Sequence, residues 1–275
     1  MLFKPAIFIL ALLSLGNLLL AEAVRDLPFE YRDGLIWVNV ESAGRSLHLV
    51  LDSGAGSTVL NLETAKRLGV KFGAAQKVRG VQSEAVAYRV HGFNANVAGI
   101  PLNSDPLAMD LTYVSRSCHR QIDGLIGQDF FHGRVVQIDN KAHCIRVFEK
   151  PVADCGCAAY LPLQLHNDAI CVPIGVDGEK PRWTRLDTGC DDGLHWVVGI
   201  YKYNQAKTAS LALSHSSNNA SMTTVQLGDE TLRGVRTVFH RDAIFAGEAG
   251  LLGNGILSKY KVTIDLVSNR VVLEK

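Results

Sequence analysis

"LVLDSGAGSTVLN", from Leu49 to Asn61, sets an acidic residue between a run of aliphatics and two glycines. Aspartate is disfavoured in strands, and burying its charge is costly unless something pairs with it. One reading of Asp52 is local. Asp-Ser-Gly is good turn chemistry, because Asp and Ser side chains bond nearby backbone groups and Gly accepts positive φ. The second half of the chain offers another reading. "TRLDTGCDDG" (Thr184 to Gly193) repeats the pattern, Leu-Asp-Ser-Gly at 51–54 becoming Leu-Asp-Thr-Gly at 186–189. A turn needs no twin, whereas a reaction that uses two carboxylates does.

The likeness extends outward from both motifs. "DGLIWVNVESAGRSLHLVLD" leads to Asp52 and "NDAICVPIGVDGEKPRWTRLD" leads to Asp187. Each reads as a strand, a turn carrying Gly44 or Gly178, and a second strand ending on the acid, from apolar alternation and β-branched content. Downstream, "IDGLIGQDFF" (Ile122 to Phe131) corresponds to "AGLLGNGIL" (Ala249 to Leu257). Each precedes an Ile-Asp strand, "VVQIDNKAHCIRVF" and "KVTIDLVSNRVVL", that reads as a closing hairpin. The interval from Gly124 to Asp139 is 15 residues, and that from Gly250 to Asp265 is also 15. The expected organisation is a duplicated, mostly-β unit, with one copy over 24–150, a linker over 151–157 and the second copy over 158–275. Helix signals are few. "NLETAKRLGV" is the one short candidate, with Asn61 as cap, Glu63 in the first turn, Lys66 and Arg67 in the last, and Gly69 as stop.

Composition narrows the function classes. The chain has 275 residues, 47% of them hydrophobic, and a formal charge of +1. It has no Lys/Arg cluster to draw nucleic acid or an anionic membrane. The first 23 residues have one early charge (Lys4), an apolar run from Ala6 to Leu20 and then Ala-Glu-Ala, the layout of a secretory signal peptide. The run holds 15 residues and is short for a membrane span of about 20. The expectation is cleavage after Ala23, export to the periplasm or medium, and no stable membrane anchor thereafter. Export permits disulfides among Cys118, Cys144, Cys155, Cys157, Cys171 and Cys190, and sequence does not choose among the pairings. The nine histidines lack ligand spacing, so neither a metal nor another cofactor is expected. Gly-x-Ser-x-Gly, His-Glu-x-x-His and dinucleotide fingerprints do not occur.

Two such copies, placed about a pseudo-twofold axis, would bring Asp52 and Asp187 together. Two carboxyls about 3 Å apart cannot both ionise and share one proton. The ionised one can take a proton from water, and the protonated one can hydrogen-bond a substrate carbonyl. Ser53 and Thr188 could bond across the axis to the opposite loop. Gly54 and Gly189 let the backbone approach the carboxylates. The segments holding Gly124 and Gly127, and Gly250 and Gly253, can pass behind the Asp loops.

These residues resemble the aspartic proteases of the pepsin and retroviral-protease group, and "DSGAGSTVLN" is most similar to the retroviral (retropepsin-like) type. The resemblance covers the architecture of nearly the whole mature chain. It implies a two-lobed acid-protease-like fold, each lobe a retropepsin-like β unit, in a monomer that is an internal pseudo-dimer. It implies peptide-bond hydrolysis on a polypeptide substrate; the alternative is a weak or inactive peptide-binding protein on the same fold. It also implies a flap over the substrate. The matching stretches are "VRGVQSEAVAYRV", with Gly80, Val81 and Gln82 at the tip, and "LALSHSSNNASMTTV", with Ser217 and Asn218 near the tip. The copies differ after the acid. Cys190 stands where the first loop has Ala55, and it is expected to pack there as a buried, reduced thiol. His195 and Trp196 could line a pocket or pack in the core and rim.

Overall fold

The computed structural model describes residues 25–80, 84–103, 105–151, 159–198 and 219–275. The expected signal peptide over 1–23, and all of the expected 151–157 linker except Pro151, lie outside these residues. The described chain is mostly β, in two lobes joined by a shared sheet. Among the described residues, no helix is long and apolar enough to cross a membrane.

In the N-terminal lobe, the strand Leu35–Ser42 turns back into Arg45–Leu51 with Ser42 opposite Arg45. The two turn residues, Ala43 and Gly44, both have positive φ (49° and 70°). That is the primed turn whose twist matches the flanking strands. Arg45–Leu51 is apolar at its far end and pairs in parallel with Gly124–Ile126, Leu51 opposite Ile126. Gly124–Ile126 pairs on its other side with Val59–Asn61. The apolar Gly segment therefore threads between the strand that delivers Asp52 and the strand that carries the chain away. The C-terminal lobe repeats this order. Arg182–Leu186 pairs in parallel with Gly250–Leu252, which also pairs with Leu194–Val197.

The glycines that end the two threading segments are set by close approach. A Cβ on Gly127 would lie 2.6 Å from the Thr58 nitrogen, and one on Gly253 would lie 2.8 Å from the Cys190 carbonyl oxygen. Both are shorter than van der Waals contact, so a side chain at either position would push the Asp loop out of place.

Each closing hairpin forms: Val135–Asp139 with Cys144–Phe148, and Lys261–Asp265 with Arg270–Glu274. The two hairpins also pair with each other. Val135–Asp139 lies antiparallel to Lys261–Asp265, and Gln137 donates from Nε2 to Thr263 Oγ1 at 3.0 Å across the seam. Arg25–Pro28 and Ala159–Pro162 complete a six-stranded sheet drawn from both halves of the chain. Val136, Ile138, Val262 and Ile264 of this sheet join Leu49, Leu51, Leu186 and Leu252 in one continuous buried core. Each such aliphatic contributes about 1.5–3 kcal/mol by leaving water.

The candidate helix is present as Leu62–Leu68 and stops at Gly69 in the left-handed conformation (φ 69°). Asn61 precedes it but makes no side-chain cap. Its side chain is buried, and Nδ2 donates instead to the Ile122 carbonyl at 3.0 Å. Asp123 ties the helix to the sheet, accepting from His48 N, Thr64 Oγ1 and Arg67 Nη2. Burial opposes its charge, but those donors hold its carboxyl below the usual range.

Candidate active site

Both acids emerge from their strands in the same way. Asp52 N donates to Ile126 O and Asp187 N to Leu252 O, each at 2.9 Å, so each acid is the last residue held by its threading segment. The chain then turns: Ala55 N donates to Asp52 O and Cys190 N to Asp187 O. The turn directs backbone N–H groups at the side chain. Asp52 Oδ1 accepts from Gly54 N (3.0 Å) and Ala55 N (2.9 Å), and Asp187 Oδ1 accepts from Gly189 N (2.9 Å).

Four hydrogen bonds cross between the lobes at the next residue. Ser53 N donates to Thr188 Oγ1 (2.9 Å) and Thr188 N to Ser53 Oγ (3.1 Å). Ser53 Oγ donates to Leu186 O and Thr188 Oγ1 to Leu51 O, both at 2.8 Å. Ser53 and Thr188 are buried, so water offers these groups no alternative partner. Each hydroxyl accepts from one loop and donates to the strand before it, which fixes both loops at once.

Gly54 and Gly189 complete the reciprocity. A Cβ on Gly54 would fall 2.6 Å from both carboxylate oxygens of Asp187, and one on Gly189 would fall 2.6 and 2.7 Å from those of Asp52. Each carboxyl thus lies against the glycine of the opposite loop, which brings the two acids together at the seam. Burial pushes both above the ordinary carboxylate range, and Asp187 further, because the Asp52 charge adds to the desolvation. Asp52 receives two backbone N–H bonds to one for Asp187. Asp52 is thus the better supplied with donors to a charged carboxylate.

Gly124, Gly127, Gly250 and Gly253 lie on or at the end of the threading segments behind the two loops. Gly80 follows the strand Lys71–Arg79, which forms a hairpin with Glu84–His91, Arg79 opposite Glu84. Val81 and Gln82, and Ser217 and Asn218 of the second expected flap, lie outside the described residues. Trp196 is buried in the core beneath the Arg182 guanidinium, 4.8 Å from the ring centroid. His195 stands in a polar cluster, its Nδ1 2.8 Å from His240 Nε2 and its Nε2 3.2 Å from Asp192 Oδ2.

Cys118, Cys144, Cys171 and Cys190 are all free thiols; Cys155 and Cys157 lie outside the described residues. Cys190 is half-buried rather than fully enclosed, and its sulfur would touch a Cβ at Gly253, 2.9 Å away. Burial, then the neighbouring Asp187, pushes its thiol up. Burial pushes the Cys171 thiol up to about 12. Cys190 is therefore expected to react slowly with a thiol reagent in the native protein and fast after denaturation, in both cases without reductant. Peptide mapping of the labelled protein checks this, and a requirement for reductant would contradict it.

Three further residues bear on the site, and sequence reading passed over them. Asn254 donates from Nδ2 to Thr188 O and to Gly34 O, both at 2.7 Å, tying the second Asp loop to a turn of the other lobe. Arg185 and Glu248 form a buried pair beside the first loop, Nε to Oε2 at 2.7 Å and Nη2 to Oε1 at 2.6 Å. A signal for Arg185 exists in the alignment of the copies. Two residues before the acid, the first copy has Val50 and the second an arginine at an equally inward-facing strand position.

Residues 38–130 match the model of a family described as aspartyl protease. The match takes in Asp52, its loop and the first threading segment, and supports an aspartyl protease. No curated protein matches the chain.

Proposed function

We propose that the chain is an aspartic endopeptidase that hydrolyses peptide bonds with water activated between Asp52 and Asp187. The observation that carries this reading is the carboxyl pair itself: two acids from two lobes, each packed against the glycine of the opposite loop. In the resting state one proton serves both. Asp52, the better solvated by backbone N–H groups, takes a proton from water as that water attacks the scissile carbonyl carbon. Asp187 gives its proton to the carbonyl oxygen, and a neutral gem-diol forms with no covalent bond to the protein. Asp52 then returns its proton to the leaving nitrogen while Asp187 recovers one from a gem-diol hydroxyl. The carbon–nitrogen bond breaks, and the shared single proton is restored.

Ser53, Thr188 and the two glycines hold the loops in register, so that the carboxyls meet without paying for rearrangement at each turnover. The proposed substrate is a polypeptide, the proposed working unit a monomer and, on the signal-peptide-like layout of residues 1–23, the proposed location is outside the cytoplasm. Incubation of purified protein with a peptide library across the acid-to-neutral range, with and without a pepstatin-type inhibitor, tests the proposal. Cleavage that the inhibitor blocks supports it. Inhibitor binding without cleavage would leave a peptide-binding protein, and neither cleavage nor binding would remove the reading altogether.

A further inference from the structure

The two halves of the site differ in a buried ion pair, Arg185 with Glu248, of which Arg185 reaches the other lobe. Arg185 stands two residues before Asp187, and its counterpart before Asp52 is the buried Val50. From the C-terminal lobe, Arg185 Nη1 donates to the Gly54 carbonyl oxygen of the other lobe at 2.7 Å. That carbonyl belongs to the same peptide unit as Ala55 N–H, which donates to Asp52 Oδ1 at 2.9 Å. The guanidinium, one peptide group and the carboxylate thus form a chain of aligned hydrogen bonds. A cation on the carbonyl polarises the peptide and strengthens its N–H as a donor. The Arg185 charge favours ionisation of both carboxyls, but the corresponding unit of the second loop lacks this hydrogen-bonded relay. Cys190 N donates to the Asp187 main-chain oxygen rather than its carboxylate, and Val50 has no charge to offer.

The geometry points to Arg185 as a positioning residue that breaks the near-symmetry of the pair and assigns Asp52 the role of base. The inference rests on the proposed aspartic chemistry and says which acid does what. Its surroundings suit this. Glu248 grips the guanidinium through two parallel bonds, and the Phe245 ring lies 3.6 Å beneath it. Arg185 is therefore held in one orientation and screened from water. The other titratable groups nearby are His166, 3.8 Å from Glu248 Oε1, Cys171, close to both Arg185 and Glu248, and Cys190 beside Asp187.

The test is the acid limb of the pH profile of kcat, with carbon-13 NMR titration of the aspartate carboxyls in the same proteins. Arg185→Met/Glu248→Gln removes the cation without leaving a lone buried carboxylate. It is expected to move the acid limb up by about one pH unit and lower kcat by about tenfold, with KM within about twofold. Glu248→Gln alone leaves the guanidinium unopposed and is expected to move the limb down. Opposite directions from the two variants are what a merely structural pair would not produce. A folded double variant with the wild-type limb and kcat overturns the inference, and so does an upward shift in Glu248→Gln. If the double variant does not fold, the Glu248→Gln direction decides alone. If the wild type cleaves no peptide, the NMR titrations still read the shift, so the protease proposal fails by itself. Cleavage with titrations that no variant alters defeats the role of Arg185 and leaves the protease proposal standing.

Discussion

Asparagine at Asp52 or at Asp187 is expected to lower peptide cleavage by about 10³-fold or more while the protein stays folded. One carboxyl cannot act as base to water and acid to the carbonyl in the same step, and an amide does neither. Single-turnover assays on protein from a protease-deficient host check this, and full activity in either variant would contradict the mechanism. The two variants should differ in stability. Burial raises the Asp187 carboxyl well above its ordinary value, so the folded state holds a proton that the unfolded chain releases. Its contribution is complete below the unfolded value, near pH 4, and is lost as pH rises through the raised folded value. Asp187→Asn mimics the protonated acid and removes that loss. Its melting temperature is expected to exceed the wild type by about 3 °C at neutral pH, with the gain vanishing in acid. Asp123, Asp139 and Asp192 act in the opposite sense. Their carboxyls are held low, so their support is present above the ordinary carboxylate range and falls away in acid for every variant alike.

Thr188→Val should produce the largest loss of stability. The shape is kept, but Ser53 N and Leu51 O lose their partner between the lobes in a buried site. Two orphaned polar groups cost about 1–3 kcal/mol each, so about 4 kcal/mol in all. For a chain of this size that lowers the melting temperature by about 10 °C. Thr188→Ser keeps the hydroxyl and should stay close to the wild type. Calorimetry on the pair separates the hydrogen bonds from the methyl group, and an equal loss in both would assign the effect to packing.

The parts of this molecule that were legible from its sequence are those written in short range. Asp52 and Asp187 declared themselves through repeated Asp-Ser/Thr-Gly triplets, and the hairpins through alternation and turn residues such as Gly44. The helix Leu62–Leu68 was legible from Gly69 and its charge pattern, although Asn61 spends its amide on Ile122 rather than on a cap. The short helix Thr112–Ser117 went unread because none of its residues is buried, so it has no apolar stripe. Long-range partnership was not legible. Two Ile-Asp strands with the same period say nothing about pairing with each other, yet Val135–Asp139 and Lys261–Asp265 do. Arg185 was missed for a related reason: a strand arginine looks solvated until a carboxylate far along the chain, Glu248, encloses it.

The sheet shared by the two halves also decides which parts of the protein can move. Rocking the lobes apart would strip a five-residue ladder between Val135–Asp139 and Lys261–Asp265 and tear open the core beneath it. Main-chain pairing of that kind lies at the stable end of local opening energies. The hairpin Lys71–Arg79/Glu84–His91 is built differently. Its first strand is an edge with hydrogen-bonded neighbours on one side only, and most of its side chains face solvent. Breathing of this hairpin costs little buried surface. Under the proposed function, admission of a chain-like guest and release of the pieces would fall to this hairpin, with the two lobes as a fixed anvil beneath it.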